Sequence, residues 1–562
     1  MAETLTGIGV SGGFAVGPVT AIAPPVAPPA DEPAPADLPA AESQVERAFE
    51  KVAADLDALA TRSDSALKDI LAATALIARD PALRDAARSE LAAGYGPATA
   101  IRRASGSVAT AFESMGEYFA DRVSDIHGVS DRVIAEVLGV PAPGVPALSE
   151  PSIIVARDLT PAETVGLGRA MIAGIVTEEG GRLGHTAILA NQYGIPAVVQ
   201  AAGAGGIEPG TRIAVDGSSG TIILDPSDDL LREQIERRDA RAALINAFRG
   251  PGSTSDGYRV PLLLNIGNVS DARSVHDVEC EGVGLFRTEF LYLSTATEPS
   301  IEKQAASYRA VFEAFPRVVI RTLDAGADKP LAFADLGDEE NPSLGRRGLR
   351  LSMAMPDLLT AQLQAIARAA RGVDCHVQVM APMVATPAEA EWFAERVRAA
   401  GLDSAGVMIE IPAAALRARD VLGAVDFGSI GTNDLAQYAM AADRTHGALS
   451  ELLDPWQPAV LACVKAACDG AADAARPLGV CGEAAGDPLL ALVLVGMGVR
   501  SLSMAPGLIA EVRASLAMHS LSQCGGIAEA ALAAPDAESA RRAALALTSD
   551  EAAPLMTVRA AS

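Results

Sequence analysis

The sequence is short of several residue types that usually advertise a protein's chemistry. Its six cysteines stand at 280, 375, 463, 468, 481 and 524, none in a CxxC pair, and the first 279 positions have none. That argues against a disulfide framework and against a structural zinc site. No apolar run of about 18 residues is free of charge or Pro/Gly breaks, so no membrane insertion is expected. The start, MAETLTGIGV, lacks a basic n-region and a long apolar core, so no secretory leader is expected and a cytoplasmic protein is. Basic residues are outnumbered, 45 Lys and Arg against 71 Asp and Glu, for a net charge of −26. Such a surface repels a phosphate backbone, which argues against nucleic acid, and suits a basic protein partner. No G-x-x-x-x-G-K-[ST] loop occurs, so a P-loop site is absent. GIGVSG (7–12) fits G-x-G-x-x-G, but no full strand precedes it and no βαβ unit follows.

What is there reads as several globular units. The chain has 562 residues, too many for one core, with 49% hydrophobic and 21% charged content. Residues 24–39, PPVAPPADEPAPADLP in essence, hold too much proline for a helix and read as an extended linker. From about 40 to 144 the pattern is helical, and Asp80-Pro81 supplies an N-cap with proline at the first helical position. From about 145 the period changes to short β-type runs, SIIVA, MIAGIVTEE, PAVV, RIAVD and TIILD, with helix candidates TPAETVGL and HTAILANQYG between them. This predicts an α/β domain made of 1–23 and 145–227, with the helical bundle inserted. Residues 228–257 read as a linker helix. Over 258–540, eight β-type runs alternate with helical stretches, which predicts a (β/α)8 barrel of the TIM type, followed by a tail at 541–562. The fold class is therefore multidomain α/β.

In such a barrel the strand C-terminal ends carry the chemistry. Those ends hold Arg287 in FRTEF, Arg321 and Asp324 in RTLDAGADK, Glu410 in MIEIP, Asn433 and Asp434 in GTNDLAQY with Arg444 beyond, and Cys481 and Glu483 in GVCGEAAGD. A lone Arg or Glu near a strand end is ordinarily a structural ion pair, and a lone Cys a small apolar group. Their grouping on successive strands points to a site, because polar side chains are expensive in a packed barrel interior. Glu410 and Asp434 suit magnesium, which takes one or two carboxylates plus substrate oxygens and water. The arginines suit a small anion bearing phosphate and carboxylate. Cys481 would be a proton donor rather than a nucleophile.

A second feature lies in EEGGRLGHTAILANQYGIPAVV (178–199). His185 follows Gly180, Gly181 and Gly184 and precedes an apolar helical run. A helix N-terminus offers free N–H groups and a positive dipole end, which favours a neutral nucleophilic imidazole and stabilises an attached phosphate. No second histidine stands nearby, so a phosphohistidine fits better than a metal site.

These motifs, with GIGVSGGFAVGPV, DLTPAET, GVGLFRTEFLYL, ENPSLGRRGLR, APMVATPAE and SIGTNDLAQYAMAADR, cover nearly the whole chain. Together they resemble enzyme I of the bacterial phosphotransferase system, the phosphoenolpyruvate–protein phosphotransferase family. The resemblance implies that phosphoenolpyruvate and Mg2+ bind in the barrel, with Glu410 and Asp434 on the metal. Arg287, Arg321, Asn433, Asp434 and Arg444 would hold the substrate, His185 would take the phosphoryl group and Cys481 would protonate the departing enolate. It implies transfer to a histidine of the carrier HPr, docked on the bundle at 40–144, the release of pyruvate as the first step of sugar uptake, and a homodimer through the barrel. Three positions depart from the family pattern: Gly184 where Ser or Thr precedes the histidine, Asn191 where Arg is common, and Thr74 where the bundle usually has histidine. Alternative readings are an enzyme of the phosphoenolpyruvate synthase or pyruvate phosphate dikinase kind, which needs a large ATP-binding domain ahead of the histidine domain, and a regulatory relative that senses phosphoenolpyruvate.

Overall fold

The computed structural model describes residues 3–556, apart from 23–26, 63–64, 115–122, 141–147, 149, 160–170, 181–185, 188–189, 191–193, 276–277, 294, 296, 328–330, 332, 335–338 and 445–446. The chain divides into two compact units, Met1–Ile235 and Glu236–Thr557.

In the first unit, strands β1 (Thr4–Thr6), β2 (Ile8–Ser11) and β3 (Phe14–Ala21) precede the bundle. Five more follow it: β4 (Ser152–Ala156), β5 (Ile172–Thr177), β6 (Ala197–Val199), β7 (Arg212–Asp216) and β8 (Thr221–Leu224). They form one sheet in the order β1-β8-β7-β3-β4-β5-β6-β2. The N-terminal piece is thus woven through the sheet: β3 runs parallel to β4 and antiparallel to β7, while β1 and β2 form its two edges. Strand alternation divides the apolar side chains between two cores. Ile153 and Val155 join Val176 and Val198 on one face, and Ile154 and Ala156 share a core with the bundle on the other.

The bundle comprises α1 (Leu38–Arg62), α2 (Ser65–Ala78), α3 (Pro81–Ala92), α4 (Pro97–Ser114) and α5 (Val123–Leu138). Asp80 caps α3, accepting the Ala82 N–H at 2.8 Å. Of the proline-rich segment expected at 24–39, residues 27–37 are described without helix or strand and are tethered, while Leu38 and Pro39 already begin α1. Glu32 accepts the backbone N–H groups of Ala98 at 3.0 Å and Thr99 at 2.7 Å, satisfying free donors at the start of α4. The TPAETVGL helix candidate lies outside the described residues. Of HTAILANQYG, Thr186, Ala187 and Ala190 are described as helical and buried, whereas His185 and Asn191 lie outside the described residues, as does Gly184 just before.

In the second unit, β9 (Leu262–Ile266), β10 (Val283–Phe286), β11 (Arg317–Arg321), β12 (His376–Ala381), β13 (Ala405–Ile409), β14 (Phe427–Ile430), β15 (Leu478–Val480) and β16 (Ser501–Met504) form a closed parallel barrel. The eight predicted runs each supply one strand, and β16 pairs with β9 to close the ring. Two boundaries shift. The expected linker helix at 228–257 is a helix only over Asp228–Ala247. From its middle onward it is part of the barrel unit: Arg241 pairs with Glu511 at 2.6 Å, and Leu244, Ile245 and Phe248 pack on the barrel core. The expected tail from 541 is likewise core. Ala544, Ala552, Leu555 and Met556 are buried in it, because alanines at helical spacing let this segment lie close against neighbouring helices.

His519 secures this last segment. Its buried imidazole has Nδ1 2.8 Å from the Ser515 carbonyl oxygen, and Nε2 accepts the Ser549 N–H at 3.3 Å. Both bonds together define a neutral ring with the proton on Nδ1. Burial holds its pKa below the ordinary 6.5, with the Ser515 bond opposing. A lowered folded pKa means that the stabilisation is complete above 6.5 and is lost as the pH falls through the folded value. Melting curves across this range are expected to show a loss of stability on acidification that is smaller in His519→Gln.

Candidate active site

The barrel's own alternation delivers the site. Leu285, Val319, Met380, Met408, Phe427 and Cys481 form a buried cluster distinct from the belt between strands and helices. Two positions beyond Leu285, Val319 and Met408 stand Arg287, Arg321 and Glu410. The same inward parity that fills the barrel with apolar groups therefore ends in charge at the C-terminal mouth.

Most of that charge forms one chain of alternating sign. Arg321 Nη2 donates to Glu289 Oε1 at 2.9 Å, and its Nη1 lies 3.3 Å from Asp324 Oδ2. The Asp324 backbone N–H donates to the same Glu289 oxygen at 3.0 Å. Arg347 forks onto Asp324, Nε to Oδ1 at 2.9 Å and Nη2 to Oδ2 at 3.0 Å, and its Nη1 donates to Asp434 Oδ1 at 3.0 Å. Arg444 Nη1 lies 3.4 Å from Asp434 Oδ2. Glu289, Arg321, Asp324, Arg347 and Asp434 are buried, and Arg444 is exposed. Buried ions need such geometry, because desolvation is repaid only by close, well-oriented partners. Burial opposes the Arg321 charge, but Glu289, Asp324 and Glu410 outweigh it and keep the guanidinium's pKa above its ordinary value.

Glu410 stands outside this chain. Its Oε1 accepts the Met383 N–H at 2.6 Å, delivered from a backbone at φ 61°, a left-handed conformation unusual for methionine. Its Oε2 is buried with no hydrogen-bond partner. Burial first, then the like charges of Asp434 and Asp324, push its pKa well above the carboxylate range, against the pull of Arg321. Thr432 Oγ1, at the start of the helix carrying Asp434, is also buried without a partner. Gly482 lies against it: a Cβ there would meet that oxygen at 1.9 Å, so the strand ends approach as closely as only glycine allows. Asn433 and Glu483 bridge these two loops, Nδ2 to Oε1 at 3.2 Å and the Glu483 N–H to Oδ1 at 3.1 Å.

Cys481 is buried, with Sγ 3.7 Å from the Ile430 carbonyl oxygen. Burial pushes its pKa up to about 11, with Glu410 adding to the shift and Ser429, Arg321 and Arg287 opposing it. At neutral pH it is a thiol, able to give a proton. The structure thus gathers Arg321, Glu410, Asn433, Asp434, Arg444 and Cys481 at the strand ends, with Arg287 exposed beside them. His185 is outside the described residues. Glu289 and Arg347 were not foreseen as site residues, nor was a role for Asp324. ENPSLGRRGLR showed two adjacent arginines without telling them apart: Arg346 turns to Glu339 at the surface, and Arg347 turns inward. Among the described residues no three His, Cys, Asp or Glu side chains gather as a preformed metal site. None of the helices described is long and apolar enough to cross a membrane.

The region holding these residues, 244–521, matches the family model for the PEP-binding domain of PEP-utilising enzymes. Residues 148–220 match the mobile domain of that class and 6–122 its N-terminal domain. A PEP-utilising enzyme is therefore the class that fold and site define. The chain is 49% identical over 556 residues to a phosphoenolpyruvate-protein phosphotransferase of Streptomyces coelicolor, covering 98% of this chain and 100% of that one. It is 35% identical to the Bacillus subtilis protein of the same name, over 94% and 96% of the two chains. For the Haloferax volcanii protein of that name the identity is 39% over 81% and 82%. The chain belongs to the phosphoenolpyruvate-protein phosphotransferase family.

Asp324→Ala would take one carboxylate from each of two buried guanidinium groups, leaving Arg321 its bond to Glu289 and Arg347 its bond to Asp434. Removing one partner of a buried ion pair costs about 3–5 kcal/mol. Denaturant unfolding of this variant is expected to show a loss of that order in the barrel unit, and Asp324→Asn a smaller one.

Proposed function

We propose that the protein takes the phosphoryl group of phosphoenolpyruvate onto His185, releases pyruvate, and passes the group to a histidine of the carrier HPr. The observation that carries the barrel half of this reading is the buried run of alternating charges beside Glu410 and a protonated thiol. A substrate bearing a phosphate and a carboxylate exchanges its own negative groups for those already facing Arg321 and Arg444, with Arg287 and Asn433 at the rim and the backbone of Asp434 at a helix start. Arg347, held between Asp324 and Asp434, orients the second of these carboxylates.

The residues fit a divalent cation. Glu410 Oε2 is buried without a partner, and its charge is disfavoured by the carboxylates beside it. Glu410 and Asp434 would hold magnesium, with substrate oxygens and water completing its six ligands. When bound, the ion supplies a Lewis acid that draws negative charge from the phosphoryl oxygens.

In the reaction an imidazole nitrogen of His185 forms a bond to phosphorus while the bond from phosphorus to the enol oxygen breaks, leaving the enolate of pyruvate. The arginines hold the negative charge that spreads over the phosphoryl oxygens, the usual main source of acceleration in phosphoryl transfer. The Cys481 thiol gives its proton to the enolate carbon, yielding pyruvate, and the thiolate recovers a proton from water. Residue 185 falls in the chain span of the first unit and the arginines in that of the second, and the reaction requires both at the same phosphorus. The bundle would receive HPr, whose histidine would then accept the phosphoryl group, and the barrel would form a homodimer.

Two measurements test this. Mass spectrometry after incubation with phosphoenolpyruvate and magnesium is expected to find a phosphoryl group on His185, passed on when HPr is added and absent in His185→Ala. A folded protein that stays unlabelled would overturn the reading. Cys481→Ala is expected to slow pyruvate formation by about 10²-fold or more, the usual contribution of a general acid. Unchanged pyruvate formation in that variant would remove the proton-donor role.

A further inference from the structure

Behind the charged chain lies a second buried layer that is polar but uncharged. Gln362 stands on the helix Pro356–Ala370, whose other buried positions are Leu358, Leu359, Leu363, Ala365, Ile366 and Ala369. An amide on so apolar a face is tolerated only when all its hydrogen-bonding groups are satisfied. Here they are. Its Oε1 accepts the Leu323 N–H at 3.0 Å. Its Nε2 donates to Thr288 Oγ1 at 3.0 Å and to Tyr308 Oη at 3.3 Å. The Thr288 hydroxyl then has its own proton to give, and it goes to the Arg321 carbonyl at 3.0 Å. The Tyr308 hydroxyl gives its proton to Gln304 Oε1 at 3.3 Å, which also accepts from Tyr292 at 2.7 Å.

The two hydrogens of the Gln362 amide each have one acceptor, and its oxygen has one donor. Flipping the Gln362 amide would set its NH2 against the Leu323 N–H and its oxygen against a hydroxyl already committed to Arg321. The orientation is therefore locked, and it grips the exit of β11 on both sides of Thr322: at the Arg321 carbonyl through Thr288 and at the Leu323 N–H directly. Adjacent to Thr288, Glu289 holds the Arg321 guanidinium and the Asp324 N–H.

We infer that Gln362, acting through Thr288, is a positioning residue for phosphoenolpyruvate, setting the backbone from which Arg321 meets the substrate. The inference rests on the barrel's being the phosphoenolpyruvate site. Misplacement of a catalytic group by about 1 Å can lower a rate by about 10²-fold, so a remote amide has leverage here.

The substitutions follow from the hydrogen count. In Gln362→Glu the carboxylate still accepts from Leu323 but draws the Thr288 hydroxyl away from Arg321. Its kcat/KM for phosphoenolpyruvate is expected to fall about tenfold or more. Thr288→Val should reproduce that loss and Thr288→Ser should restore the wild-type value, which decides the matter if a buried glutamate at 362 prevents folding. Tyr292→Phe removes the hydroxyl's bond to Gln304 but keeps the ring packed beside Leu323 and leaves both Gln362 bonds to the β11 exit in place, so it is expected to lower the melting temperature while leaving kcat/KM unchanged. The role is overturned if Gln362→Glu and Thr288→Val keep wild-type kcat/KM, or if Tyr292→Phe loses kcat/KM as steeply as they do per degree of melting temperature. Wild-type protein inert towards phosphoenolpyruvate would instead overturn the function itself, and this role with it.

Discussion

The fork between Arg347 and Asp324 is the interaction on which the barrel's mouth depends. Two parallel hydrogen bonds tie a guanidinium from the loop after β11 to a carboxylate just beyond the end of that strand, and the guanidinium's remaining nitrogen reaches the helix after β14. Arg347 and Asp434 are 87 positions apart in the chain. Without this tie, Asp434 would have only the exposed Arg444 as a charged partner among the contacts described, and Arg321 would share Asp324 with no one. Because the ions alternate in sign, each is balanced by its neighbours, so burial is tolerated and the geometry is held before any substrate arrives.

That balance leaves one group out. Among the described residues, Glu410 is the fully buried carboxylate of the site that makes no recorded ion pair, and its Oε2 has no hydrogen-bond partner. The proposed magnesium would compensate this disfavoured carboxylate. The same surroundings raise the Cys481 pKa, so this carboxyl and this thiol are tuned by one low-dielectric interior. The uncharged layer through Gln362 contributes differently. It carries no charge to the site but fixes the main chain from which charge is presented.

Much of this was legible beforehand, and for identifiable reasons. The eight strands were readable because each is a short, largely apolar run between helical stretches. Arg321, Glu410 and Asp434 were readable because charge at strand ends breaks an otherwise apolar inward face. The segment after 541 was read as a tail, while its burial depends on helices placed there by the barrel. The proline-rich stretch was read as an extended linker, yet its attachment through Glu32 to a helix start more than sixty residues on left no local trace.

By itself, then, the sequence determined the element types, the (β/α)8 layout, the insertion of the bundle and the ring of polar residues at the strand ends, since all of these follow from local periodicity and composition. Only the tertiary structure decided that Arg347 rather than Arg346 enters the site, that Asp324 and Glu289 clamp Arg321, that Glu410 is left uncompensated and that Gln362 stands behind the β11 exit. The physical reason is the same in each case. Ion pairing and burial are set by distances between residues brought together when the barrel closes, and no local pattern encodes those distances.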